Sequence, residues 1–141
     1  MTSISPRPAG GPLQDGYQGV LSGDLLSYLR AEPGLVLVAY SPLLAGGYVR
    51  QDKPLGAGFD HPGTPARLAV LREVAKEAGA TVNQVVLAWL IGAEVPVIPL
   101  VGASSVAQLD ESLAAVDLEL TAEQRARLGA AGSVSATRKG N

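Results

Sequence analysis

The 141-residue sequence has no cysteine, which removes a disulfide framework, a thiolate zinc site and a cysteine nucleophile together. It also lacks an excess of either charge: 11 basic and 13 acidic residues give a formal net charge of -2. Without a basic face, neither nucleic acid nor an anionic membrane surface is an expected partner. No apolar run approaches the roughly 18 residues of a membrane span. The opening Met1-Thr2-Ser3-Ile4-Ser5-Pro6-Arg7-Pro8 has no apolar stretch of the kind a signal peptide needs. A cytoplasmic location is therefore expected. No repeat of fixed period and no low-complexity tract occurs.

What is present suits a folded chain. The sequence is 47% hydrophobic, enough to build a core. Its 17 glycines and 10 prolines make up about a fifth of the residues, against a usual level of roughly 12%. Many turns or an irregular segment should follow, and the length favours one domain.

Residues 1–22 are rich in Gly, Pro and Ser without a period and read as a loop or tail. A short helix capped by Ser22 or Asp24 is expected next, with Leu25, Leu26 and Leu29 inward. Leu35-Val36-Leu37-Val38-Ala39-Tyr40 is an unbroken apolar run, the pattern of a parallel strand buried on both faces. Residues 41–63 form a long connection, and loops of that length are usually functional or mobile. Thr64-Pro65 predicts a hydroxyl-capped helix start. Leu68, Leu71, Val74, Ala75 and Ala78 then recur at helical spacing, up to a stop at Gly79. Thr81 and Gln84 stand at capping-box spacing before a helix that is apolar nearly all round. Residues 95–101 read as a second strand. Ser105 and Gln108 repeat the capping signal ahead of a helix whose buried stripe should be Leu109, Leu113 and Val116. Thr121 and Gln124 open a last helix with Leu128 inward, and residues 133–141 form a polar tail. Alternating strands and helices predict an α/β fold with parallel strands.

In such folds ligands sit at the carboxyl ends of the strands, so Ser41-Pro42-Leu43 and Gly102-Ala103-Ser104-Ser105 should face one site. The second turn places small residues and hydroxyls at a helix N-terminus, the chemistry of a phosphate site, although a simple capped helix has the same signature. Tyr40 stands where an aromatic ring meets either a ligand or the core rim. His61 beside Asp60 reads as solvated, Gly56-Ala57-Gly58 is no dinucleotide fingerprint, Trp89 reads as core, and Glu73 and Glu77 as solubilising.

Four blocks together resemble one family. Ala39-Tyr40-Ser41-Pro42-Leu43, Asn83-Gln84-Val85-Val86-Leu87-Ala88-Trp89-Leu90, Val97-Ile98-Pro99 with residues 102–113, and Asp117-Leu118-Glu119-Leu120-Thr121 look like the C-terminal half of an aldo-keto reductase. Pro6-Arg7-Pro8 is similar to the loop after the sixth barrel strand. The resemblance implies a partial (β/α)8 barrel over residues 23–132, from the region after strand six through strand eight and the C-terminal helices. A complete barrel of that type needs roughly 250 residues.

The resemblance also implies an NADP(H) site. Tyr40 matches the ring that stacks on the nicotinamide, and Ser41 and Leu43 match pyrophosphate-lining positions. Gly102, Ala103 and Ser104 match the turn for the adenosine 2′-phosphate. Gln108 falls where many members place an arginine, while Glu111 and Ser112 match an adenine-contacting pair that is usually Glu-Asn. Nothing matches the family's catalytic tyrosine, aspartate, lysine and histidine. The expectation is the cofactor-binding portion of an enzyme that reduces aldehydes or ketones, inactive as an isolated chain and derived from a truncated or split coding sequence. Its partners would be the dinucleotide and either the missing N-terminal half or further copies meeting through exposed strand edges. The alternative is a non-catalytic remnant that binds a dinucleotide or a protein through its open sheet. An unrelated small α/β domain is the third reading.

Overall fold

The seven residues Val85 to Ile91 carry no polar side chain, so the helix they form must be covered on more than one side, and the remaining elements pack accordingly. The computed structural model describes residues 23–52, 55, 59, 62–95 and 97–131. The expected N-terminal loop, the Gly56-Ala57-Gly58 and Asp60-His61 stretches and the C-terminal tail lie outside the described residues. The elements are α1 (Gly23–Ala31), β1 (Leu37–Tyr40), a 3-10 turn (Leu44–Gly46), α2 (Thr64–Glu77), α3 (Val82–Ile91), β2 (Val97–Leu100), α4 (Val106–Ala114), a second 3-10 turn (Ala115–Asp117) and α5 (Ala122–Ala130). Among the described residues no helix is long and apolar enough to cross a membrane.

Helix α3 is the hub. Val85, Val86, Leu87 and Ala88 are all buried, and the helix packs against α2, α4, β2 and the second 3-10 turn. Burying an aliphatic side chain completely contributes about 1.5–3 kcal/mol. Leu71, Val74 and Ala75 of α2, with Leu120 and Leu128 of α5 and its approach, complete the core. Trp89 is half-buried against it.

Local signals place the ends of these helices. Thr81 and Gln84 form a reciprocal capping box on α3, and Thr121 and Gln124 form another on α5. Helix α2 ends at Gly79, whose φ of +61° is left-handed. There the Ala80 amide donates to the Ala75 carbonyl at 3.0 Å and the Gly79 amide to the Lys76 carbonyl at 3.3 Å, closing a Schellman motif.

Charged groups tie α5 to the core helices. Arg127 pairs with Glu77 at 2.7 Å and with Glu73 at 3.0 Å, so these two glutamates anchor α5 besides being wet. Arg125 lies over the C-terminus of α3 and donates to the carbonyls of Ala88 at 3.2 Å and Trp89 at 3.3 Å, where the helix dipole favours a cation. A Cβ at Gly92 would collide with that guanidinium, so the close approach requires glycine.

β1 and β2 form a parallel two-stranded sheet in register from Leu37↔Val97 to Tyr40↔Leu100. Several expectations are corrected at this point. The apolar runs are not buried on both faces: Val38, Tyr40, Ile98 and Leu100 are each more than half exposed. Only the face carrying Leu37, Ala39, Val97 and Pro99 is partly covered, because the helices lie on one side of the sheet. The stripe of α4 is exposed as well. Leu109, Leu113 and Val116 have no element over them, and α4 buries no residue. Leu25 is likewise exposed, and α1 buries Leu29 alone. Thr64 does not cap α2; its hydroxyl donates to the Phe59 carbonyl at 2.7 Å, and Gly63 takes the cap position without a side-chain bond.

Two stability tests follow from this packing. Leu71→Ala should lower the unfolding free energy by about 2–5 kcal/mol through cavity formation. Leu113→Ala should change it by no more than about 0.5 kcal/mol, because that side chain is already in solvent; urea unfolding of the two variants compares them directly. The Arg127 guanidinium holds the Glu77 carboxyl below its ordinary value. A carboxyl lowered in the folded state contributes stability above its unfolded value and loses it as pH falls through the folded one. Acidification below the usual carboxylate range should therefore weaken the fold, and Arg127→Met should shrink that drop.

Candidate functional site

The parallel register decides where chemistry can gather. Tyr40 lies beside Leu100, so the turn entered at Ser41 and the turn entered at Val101 leave the same edge of the sheet. Parallel α/β proteins place their ligands at this end.

The first turn is strained. Ser41, Leu44 and Ala45 adopt φ values of +49°, +50° and +52°, a left-handed conformation disfavoured for residues with a Cβ. Such positions cost of order 1–3 kcal/mol each and cluster at ligand sites. Nested backbone bonds hold them: Leu44 to Ser41 at 3.0 Å, Gly46 to Leu43 at 2.9 Å and Gly47 to Leu44 at 3.1 Å. The start of the long connection is therefore a series of tight turns. Nothing in Ser-Pro-Leu-Leu-Ala announces left-handed backbone, since neither glycine nor asparagine occupies those positions. The Leu43 side chain packs against the core, which leaves its backbone for any ligand contact. Tyr40 presents an exposed ring at the strand end.

The second turn is open. A Cβ at Gly102 would meet nothing within 4 Å. The Ser105 hydroxyl accepts from the Gln108 amide at 3.2 Å and caps α4. The expected reciprocal box is absent here, because the Gln108 side chain reaches one residue further. Its Oε1 accepts from the Ser104 amide at 2.8 Å and from the Ser104 hydroxyl at 2.9 Å. These bonds leave the amides of Val106 and Ala107 as the first-turn donors that neither side chain takes. No lysine or arginine occurs between Val101 and Glu111.

Glu111 is committed to helix packing. Its carboxylate accepts from the Thr81 hydroxyl at 2.6 Å, and its backbone carbonyl accepts from Gln84 at 3.1 Å, joining α4 to the start of α3. Ser112, next along α4, is half-buried. The structure thus brings the Tyr40-Ser41 turn and the 102–104 turn to one end of the sheet, with Gln108, Glu111 and Ser112 on the helix that follows.

A separate small cleft is lined by Leu44, Tyr48, Leu55, Phe59 and Arg67. Its volume of about 30 Å³ is far below the roughly 300–1,000 Å³ of ligand pockets. Burial pushes the Tyr48 phenol up to about 12, so it stays protonated at neutral pH. Among the described residues no group of three or more His, Cys, Asp or Glu side chains is placed to hold a metal ion.

Comparison with known proteins places this geometry in context. Residues 20–132 match the aldo/keto reductase family. The chain is 40% identical over 114 residues to an uncharacterized oxidoreductase of Mycobacterium tuberculosis, covering 72% of this chain and 35% of that protein. It is 44% identical over 70 residues to pyridoxine 4-dehydrogenase of Escherichia coli, covering 50% of this chain and 23% of that protein. A crystal structure of a thermostable aldo-keto reductase in complex with the inhibitor epalrestat superposes with a TM-score of 0.56 at 32% identity. That match covers 74% of this chain and 32% of the other. The chain spans about a third or less of the length of these relatives.

Loss of the cap should loosen this turn selectively. Ser105→Ala should cost about 1 kcal/mol of local stability. Amide exchange is expected to speed up at Gln108 and its neighbours and to stay unchanged in α3.

Proposed function

Since the chain belongs to the aldo/keto reductase family, a family of β/α-barrel oxidoreductases, we propose that it forms the NADP(H)-binding part of such an enzyme, one that reduces aldehydes or ketones. The observation that carries this reading is the parallel register, which sets the exposed Tyr40 ring and the open Gly102 turn at one end of the sheet. The residues suit a dinucleotide. Tyr40 offers an apolar face to the nicotinamide, and Ser41 with the Leu43 backbone lies at the pyrophosphate. Gly102, Ala103 and Ser104 offer space, amides and a hydroxyl to the adenosine phosphate. Gln108, Glu111 and Ser112 line the adenosine end.

When bound, NADPH supplies a hydride for a carbonyl carbon. The residues of this chain bind and orient. Among the described residues we assign none to protonating the carbonyl oxygen, a step that needs an acid aimed at the developing charge. Tyr40 is assigned to stacking, and Tyr48 lines the separate small cleft. The proton donor is assigned to another part of the barrel.

Titration of NADPH into the 141-residue chain, followed by calorimetry, should show saturable binding. Tyr40→Ala should weaken it about two- to ten-fold, the worth of an aromatic contact of roughly 0.5–1.5 kcal/mol. Incubation with NADPH and simple aldehydes should oxidise no cofactor. Absence of binding would overturn the assignment of the site, and turnover would overturn the assignment of the acid.

A further inference from the structure

NADH and NADPH differ at one position, where the adenosine ribose carries either a hydroxyl or a phosphate of close to two negative charges. A site selects the phosphate with a cation or with free donors, and the hydroxyl with an acceptor. The turn at this end of the site is short of the first two. No lysine or arginine occurs anywhere from Glu77 to Gln124, a stretch that contains β2, the Gly102 turn and all of α4. Arg125, the first cation beyond it, is committed to the carbonyls of Ala88 and Trp89. Acidic residues follow the turn instead, at Asp110 and Glu111. The donors in the middle of the turn are also taken. The Gln108 Oε1 accepts from the Ser104 amide at 2.8 Å and from the Ser104 hydroxyl at 2.9 Å. A phosphate could reach Ser104 only by displacing that carboxamide, whose carbonyl end repels an anion.

We propose that this site does not select NADPH and binds NADH at least as tightly, with Gln108 as the residue that withholds the turn from a 2′-phosphate. The inference rests on the dinucleotide reading of the site and narrows it: NADPH is admitted without being preferred. What remains for a phosphate is the pair of first-turn amides at Val106 and Ala107 and the positive end of α4. A helix terminus open to water gives an anion only modest support, and the carboxylates of Asp110 and Glu111 on the same helix oppose it. A cradle of successive amides is interrupted as well, since the Ser104 amide already points at Gln108. A ribose hydroxyl meets none of these conflicts. It is neutral, and the Gln108 carboxamide offers it both an acceptor and a donor without releasing Ser104. Gln108 is exposed, so it stands in reach of a ligand at this turn.

The test is calorimetric titration of the full 141-residue chain with NADH and, separately, with NADPH, in a buffer free of phosphate and sulfate. The dissociation constant for NADH should equal or fall below that for NADPH. Gln108→Ala releases Ser104 and should tighten NADPH about two- to ten-fold, the worth of a hydrogen bond, without tightening NADH. Gln108→Arg should tighten NADPH at least about ten-fold, because it adds charge-assisted bonds to the phosphate. Circular dichroism of both variants should match the unsubstituted chain, since position 108 lies outside the helical core. Tighter binding of NADPH than of NADH by the unsubstituted chain overturns the inference and leaves the cofactor site standing. Weaker NADPH binding by Gln108→Ala makes the carboxamide a phosphate ligand and also overturns it, as does the lack of any shift toward NADPH in both variants. Saturable binding of neither cofactor overturns the site and the inference together.

Discussion

The structure depends on one constraint, the burial of the middle of α3. A helix with Val85, Val86, Leu87 and Ala88 in its middle gives no face of that turn to water. Helix α2 covers one side through Leu71, Val74 and Ala75, and Leu120 and Leu128 close the core around it. β2 and α4 take further sides. Once β2 is held, β1 is fixed by four register pairs, and the two strand ends come together. The candidate site is thus a consequence of how an apolar helix hides itself.

The polar ties reinforce that arrangement without creating it. Arg125 supplies positive charge at the C-terminus of α3, and Arg127 spans two glutamates of α2. Exposed pairs of this kind add little individually. Their effect is on alignment, since they keep α5 along α2 and leave the sheet face clear. The same division appears at the site. Glu111 spends its carboxylate on Thr81 and so fixes α4 against α3, while Gln108 closes the Ser104 turn. Two residues assigned to adenosine contacts therefore also shape the surface that a cofactor would meet.

Features governed by neighbours in sequence were legible. The capping boxes at Thr81 and Thr121, the left-handed stop at Gly79 and the element order follow from side chains three to five residues apart. Features that need a distant partner were not. The periodicity of Leu109, Leu113 and Val116 marks a stripe suited to burial, but periodicity cannot say whether anything lies over it. The apolar runs at 35–40 and 95–101 give no sign that one face stays open. Gln108 stands at capping-box spacing, yet its side chain bonds Ser104, because a turn with small residues lets it reach back further. Left-handed backbone at Leu44 and Ala45 has no local signal at all.

By itself, then, the sequence determined helix limits, strand candidates, the order of elements and the family blocks around Tyr40 and Gly102. These rest on dihedral preference, capping and apolar spacing, which act within a few residues of chain. Tertiary structure alone decided which apolar faces are buried, that Glu73 and Glu77 share Arg127, and that Tyr40 and Leu100 stand side by side. The strand pairs join residues 60 positions apart, and the physical reason is that water is excluded only where two surfaces meet.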